Sequence, residues 1–267
     1  MNAAGRELVH RGLHALRRSG LWWGTAVAVF VVLNVAFWPS LRDSKALSGL
    51  EDMGALLEAF GAQDIGSPRG YLDGQLFALL LPVLLAAMSI AQVSAVTSGD
   101  EDAGRLELLH ALPVSRTAVW LARWTAGTAV LAMVTAGIAA LTLASMQVFA
   151  LGEAGAGRVA AATLACGLLA AFHAAVAFAA GGLGASRGRA AGAAVFVLVA
   201  GYVVSVLLPL ADSLAGARRW SPWYWALGEQ PVSDGVRPLR LALVVGVTAV
   251  LVVIGLVGVN RRDIRSA

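Results

Sequence analysis

Six apolar runs dominate this chain, and each is long enough to cross a hydrocarbon core about 30 Å thick, which takes roughly 20 helical residues. They are Leu21–Trp38, Leu76–Val96, Ala118–Gln147, Val159–Leu183, Ala191–Leu210 and Leu239–Val259. With 58% hydrophobic and 13% charged residues, the composition does not fit an ordinary water-soluble domain. The fold expected is an all-α polytopic membrane protein with a single transmembrane domain over residues 1–267. An even number of spans puts both termini on one side. No small-residue cleavage pattern follows the first run, so it reads as a span rather than a signal peptide.

Orientation follows the Lys and Arg residues near the span ends. With the N-terminus inside, the inner segments hold Arg6, Arg11, Arg17, Arg18, Arg105, Arg116, Arg123, Arg187, Arg189, Arg261, Arg262 and Arg265. The outer segments hold Arg42, Lys45, Arg69, Arg158, Arg218, Arg219, Arg237 and Arg240. The bias favours a cytoplasmic N-terminus. The basic balance therefore reflects membrane orientation, and no aromatic-studded basic surface points to nucleic acid.

Several flanking segments have their own local signals. Residues 5–18 put Leu8, Val9, Leu13 and Leu16 on one helical side and Arg6, Glu7, His10, Arg11, His14, Arg17 and Arg18 on the other. That pattern suits an interfacial elbow helix lying in the membrane surface. Trp22 and Trp23 at one end of span one and Trp38 at the other read as an aromatic belt, with Pro39 ending the span. Asn34, polar within that span, reads as a helix–helix contact. In the outer segment 40–75, Ser48 and Glu51 form a capping box for a short amphipathic helix ended by Gly61. Span four is crowded with Ala and Gly, so it is expected to pack among its neighbours. In the outer segment 211–238, Ser221 and Pro222 signal a helix start before Trp223, Tyr224 and Trp225, which belong at a lipid–water boundary.

Residue types needed for chemistry are scarce. The P-loop needs a Gly-rich stretch ending in Lys-Ser/Thr. The one lysine, Lys45, has no such context, so no ATP hydrolysis is expected on this chain. No catalytic residue and no metal site is expected, since no His, Cys or carboxylate cluster has ligand spacing. Cys166 is solitary within span four and reads as a packing residue. Ion-coupled transporters place ionisable groups at depth. His173 is the single such residue near a span centre and reads first as a hydrogen-bonded packing residue. Gly184-Ala185-Ser186 begins like a nucleophile motif, yet His173 lies about three helical turns away.

The segment 100–116 between spans two and three is different. Asp100, Glu101 and Asp102 precede an expected helix start, where negative charge suits the helix dipole. Leu108, Leu109 and Leu112 make an apolar face beside Glu107 and His110, Pro113 breaks the helix, and Ser115 can cap the next one. An exposed leucine face rimmed by charge reads as a docking knob for a soluble partner. A force on it would pass directly into spans two and three.

Glu101, Asp102, Gly104, Leu106, Glu107, Leu108, Leu109, Pro113, Val114, Ser115 and Arg116 resemble the coupling segment of ABC-2 type ABC transporter permeases. Arg261–Ile264 is similar to the Arg-Arg-Asp-Ile ending of many members. Where the family often has Thr and Lys, this chain has Arg105 and Arg123. The resemblance implies a type V exporter-like fold: six spans, an elbow helix and a cytoplasmic coupling helix. It further implies a multi-pass subunit in the bacterial plasma membrane with both termini cytoplasmic. Such a permease pairs with a second permease subunit, identical or related, and with two copies of an ABC ATP-binding subunit that carries the ATP and Mg. No cofactor would bind this chain. Glu101, Asp102, Gly104, Leu106, Glu107, Leu108, Leu109, Pro113, Ser115 and Arg116 would couple to the ATPase. Met88, Gln92, Phe196 and Tyr202 are substrate-path candidates from the identity of their helices. The cargo implied is a drug, antibiotic, peptide or lipid-like molecule. An ion-coupled secondary transporter and a non-transporting scaffold or sensor remain as alternatives.

Overall fold

The computed structural model describes residues 3–43, 66–104 and 114–262. The described residues form helices and no strand, and six helical segments are long and apolar enough to cross a membrane. These are Gly5–Arg42, Pro68–Asp102, Arg116–Val148, Ala156–Gly182, Arg187–Leu210 and Pro238–Arg261, called spans one to six below. Each contains or nearly contains the apolar run expected at its place. The amphipathic segment 48–61 of the outer region lies outside the described residues.

Local chemistry sets several ends. The Ser115 hydroxyl accepts a hydrogen bond from the Ala118 amide at 3.2 Å and starts span three, as its cap position implies. Ser221 accepts from the Trp223 amide at 3.2 Å with Pro222 in the first turn, and Gly228 closes that short helix at φ 69°.

Spans two and four form the centre. In span four 67% of the most apolar window is buried, against 17% in span five. Small residues account for this close packing, as expected from the composition. A Cβ on Gly167 would lie 2.8 Å from Thr135 of span three. A Cβ on Gly258 of span six would lie 2.8 Å from the Gly182 carbonyl oxygen, so spans four and six cross backbone to backbone. Cys166 is buried in this packing. His173 is buried too, its Nδ1 2.8 Å from the Leu169 carbonyl.

Three local expectations change in the folded chain. The segment 5–18 is not set apart from span one: a single helix runs from Ala3 to Ala36. Its stripe meets protein, because Gly12 sits against Ala126, and Leu16 packs with Val96, Ala126 and Val130. Trp38 is not in an aromatic belt. It is buried, its ring 4.9 Å from that of Tyr71, whose hydroxyl donates to the Asn34 carbonyl at 2.7 Å. Trp223 also points inward, donating from Nε1 to the Leu198 carbonyl at 3.1 Å, while the Ser221 hydroxyl donates to the Gly201 carbonyl at 2.6 Å. The aromatic helix thus folds back onto span five, since a buried indole N–H needs an acceptor and the Leu198 carbonyl of that span supplies one.

The opposite end of the bundle has its own tie. Asp73, buried in a π-helical turn at Asp73–Phe77, accepts from the amides of Val232 and Ser233 at 2.8 and 2.9 Å. Arg158 of span four donates to the carbonyls of the same two residues. One carboxylate and one guanidinium therefore clamp both sides of a single peptide loop.

Candidate functional site

Span two does not stop smoothly at its C-terminal end. Helix Leu80–Val96 breaks at Thr97, whose hydroxyl donates back to the Val93 carbonyl at 2.6 Å. A one-turn helix, Ser98–Asp102, follows and carries all three acids. The acids therefore lie inside a helical turn of their own, and the helix expected after them lies outside the described residues. Gly99 is pinched in this turn, its Cβ position 3.0 Å from the Arg187 side chain and 3.3 Å from the Ser94 carbonyl. Gly104 leaves the turn at φ 68°, a left-handed conformation that favours glycine.

Each acid reaches a different span. Asp100 forms a buried ion pair with Arg123 of span three. Glu101 takes both ends of the Arg262 guanidinium, with Nη1–Oε1 at 2.5 Å and Nη2–Oε2 at 2.6 Å. Asp102 accepts from the Arg187 backbone amide at 2.8 Å, at the first residue of span five. The Glu101 side chain is 6% exposed and that of Arg262 17%.

Arg262 is the hub of this end. It lies just past span six, donates Nε to the Gly182 carbonyl at 2.8 Å and Nη2 to the Gly181 carbonyl at 3.1 Å, and sits 5.9 Å from the Trp120 ring centroid. The Gly181 and Gly182 carbonyls belong to the last turn of span four, the negative end of that helix dipole. Arg116 closes the circuit by donating Nη1 to the Arg262 carbonyl at 2.6 Å. Asn260 adds a bond to the Thr117 hydroxyl at 2.7 Å.

Of the coupling residues expected, Glu101, Asp102, Gly104, Ser115 and Arg116 are gathered here. Leu106, Glu107, Leu108, Leu109 and Pro113 lie outside the described residues. The substrate-path candidates do not converge. Met88 and Gln92 are buried within the subunit. Phe196 is 73% exposed on the opposite type of surface, and Tyr202 stacks edge-on to Trp223 at 5.1 Å. Sequence reasoning missed the pairings of Asp100 with Arg123 and Glu101 with Arg262. The available signal was opposite charges at span ends on the same membrane side.

Among the described residues, no group of three or more His, Cys, Asp and Glu could hold a metal ion. The arrangement is suited to transmitting force. The described residues on either side of segment 105–113 are bonded to spans three, four, five and six.

Six helices long and apolar enough to cross a membrane, tied together at one end by ion pairs, define a multi-pass membrane protein. The chain belongs to the family described as multidrug efflux system permease Rv1217c, C-terminal domain, whose model matches residues 12–259. This agrees with the ABC-2 type permease resemblance carried by residues 101–116. A comparison with curated proteins gives no match.

Proposed function

We propose that this chain is one permease subunit of an ATP-driven exporter, and that separate ABC ATP-binding subunits drive it by pushing on segment 100–116. The observation that carries this reading is the three-acid turn. Asp100, Glu101 and Asp102 join the base of the segment to spans three, six and five. A push from below would tilt several spans at once, which is what alternating exposure of a cargo path requires. The exposed apolar face of span five, with Phe196, Val199 and Leu210, gives a second permease subunit a surface to cover. Both termini are cytoplasmic in this reading, and the membrane is a bacterial plasma membrane. The spans carry few charges, which favours an amphipathic drug, antibiotic, peptide or lipid-like cargo.

Purification of the chain together with its ATP-binding partner tests the reading. The partner's ATPase is expected to be cargo-stimulated, and Leu109→Asp is expected to abolish both that stimulation and efflux. Efflux that survives Leu109→Asp and loss of the ATPase would overturn it. His173 favours the ion-coupled alternative, because its Nε2 is buried with no hydrogen-bond partner among the described residues. That alternative requires transport to fail in His173→Gln and to follow an ion gradient rather than ATP.

A further inference from the structure

Spans one and three do not close on each other along their full length. A groove of ≈ 830 Å³ opens between them. Its floor lacks side chains where glycines fall. A Cβ on Gly137 would meet nothing within 4 Å, and one on Gly24 would reach only Val134 at 3.5 Å. One end of the groove is polar, lined by His10, His14 and Arg17, and the remainder is apolar except for Thr25.

The polar end has unspent donors. His10 and His14 stand one helical turn apart, their ring centroids separated by 6.0 Å. Arg17 follows on the same face and is exposed. Arg11 is held by Glu7 at 2.9 Å, and Arg116, Arg123 and Arg262 are all engaged in the inner-end network. Arg17 has no ion-pair or hydrogen-bond partner among the described residues. The single acid on this stretch of helix, Glu7, is already taken by Arg11.

Depth gives a second, independent indication. Trp22 is 78% exposed on the same helix, five residues beyond Arg17, and an exposed tryptophan at a span end marks the headgroup level. From Trp22 to Ala28, at the far apolar end, the helix rises about 9 Å. One leaflet of the hydrocarbon core is about 15 Å deep. The groove therefore places cationic donors at the headgroups and, below them, an apolar trough that reaches more than half-way into one leaflet.

We propose that this groove is a binding site for an anionic phospholipid, with its phosphate among His10, His14 and Arg17 and an acyl chain laid over Gly24 and Gly137. A guanidinium fork with neighbouring N–H donors matches a phosphodiester. A zwitterionic lipid gains little there, since its own cation meets the arginine. The inference does not depend on ATP coupling.

Native mass spectrometry of the full chain in mild detergent tests it, with phosphatidylglycerol and phosphatidylcholine as probes. Phosphatidylglycerol is expected to be retained preferentially, and Arg17→Gln to weaken that retention roughly fivefold, the effect of one basic residue at an anionic surface. Gly137→Leu fills open space and is expected to lower retention of the lipid while leaving thermal stability intact, so it carries the test should the Arg17 variant fail to fold. Arg219→Gln, exposed at the other end, is expected to change nothing. Inorganic phosphate is not expected to displace the lipid, because it occupies only the polar end. Equal retention of the two lipids, retention unchanged in both groove variants, or full displacement by phosphate would each overturn the proposal. So would a change in subunit association without a change in lipid retention in Gly137→Leu, which would assign the groove to a second copy of the chain.

Discussion

Arg262 grips Glu101 through both of its terminal nitrogens, at 2.5 and 2.6 Å, across 161 positions of sequence. The same guanidinium also caps the last turn of span four through Gly181 and Gly182. Spans two, four and six are thus fixed to one another at a single side chain.

Removing one partner of that pair leaves a buried charge without its counter-ion, which costs about 3–5 kcal/mol. Glu101→Gln and Arg262→Met are each expected to lower the thermal unfolding temperature in detergent. Arg262→Met is expected to be the worse, since it also strands two carbonyls. The double variant Glu101→Leu with Arg262→Met is expected to recover part of the loss, because a buried pair is often replaceable by apolar side chains. Recovery of stability without recovery of transport would separate the mechanical role from the structural one.

Arg123 pairs with Asp100 inside the same network, both largely buried. Lysine can supply the charge but not the fork. Arg123→Lys is expected to fold with a loss of about 1 kcal/mol, the difference of one hydrogen bond. Arg123→Ala is expected to lose several-fold more, read in the same unfolding measurement.

The crossing of spans four and six has no room for a methyl group. Gly258→Ala would put its Cβ 2.8 Å from the Gly182 carbonyl oxygen. Overpacking of this kind costs about 1–3 kcal/mol. Gly246→Ala on the same span, which meets nothing within 4 Å, is the control. It is expected to be neutral or stabilising by roughly 0.5–1 kcal/mol, from helix propensity.

At the opposite end of the bundle, Asp73→Ala would leave the Val232 and Ser233 amides without their acceptor. Each unsatisfied buried donor costs about 1–3 kcal/mol. Amide hydrogen exchange at residues 232 and 233 is expected to accelerate strongly. Asp73→Asn keeps one carbonyl oxygen and is expected to protect one of the two amides.

The length of each apolar run determined the spans, because only a sustained helix can satisfy its backbone in hydrocarbon. Capping chemistry determined where span three and the aromatic helix begin, at Ser115 and at Ser221 with Pro222. The crowding of alanine and glycine in span four marked it as central. What only the tertiary structure decided is which apolar face of each helix meets protein. Lipid and core are equally apolar, so Phe196 and Met88 look alike in sequence, although one is 73% exposed and the other fully buried. The same holds for Trp22 and Trp38. The charge partners were also out of reach of local reasoning. A carboxylate at a span end reads as a headgroup contact, a dipole contact or an interface residue until folding brings Arg123, Arg187 and Arg262 beside three consecutive acids.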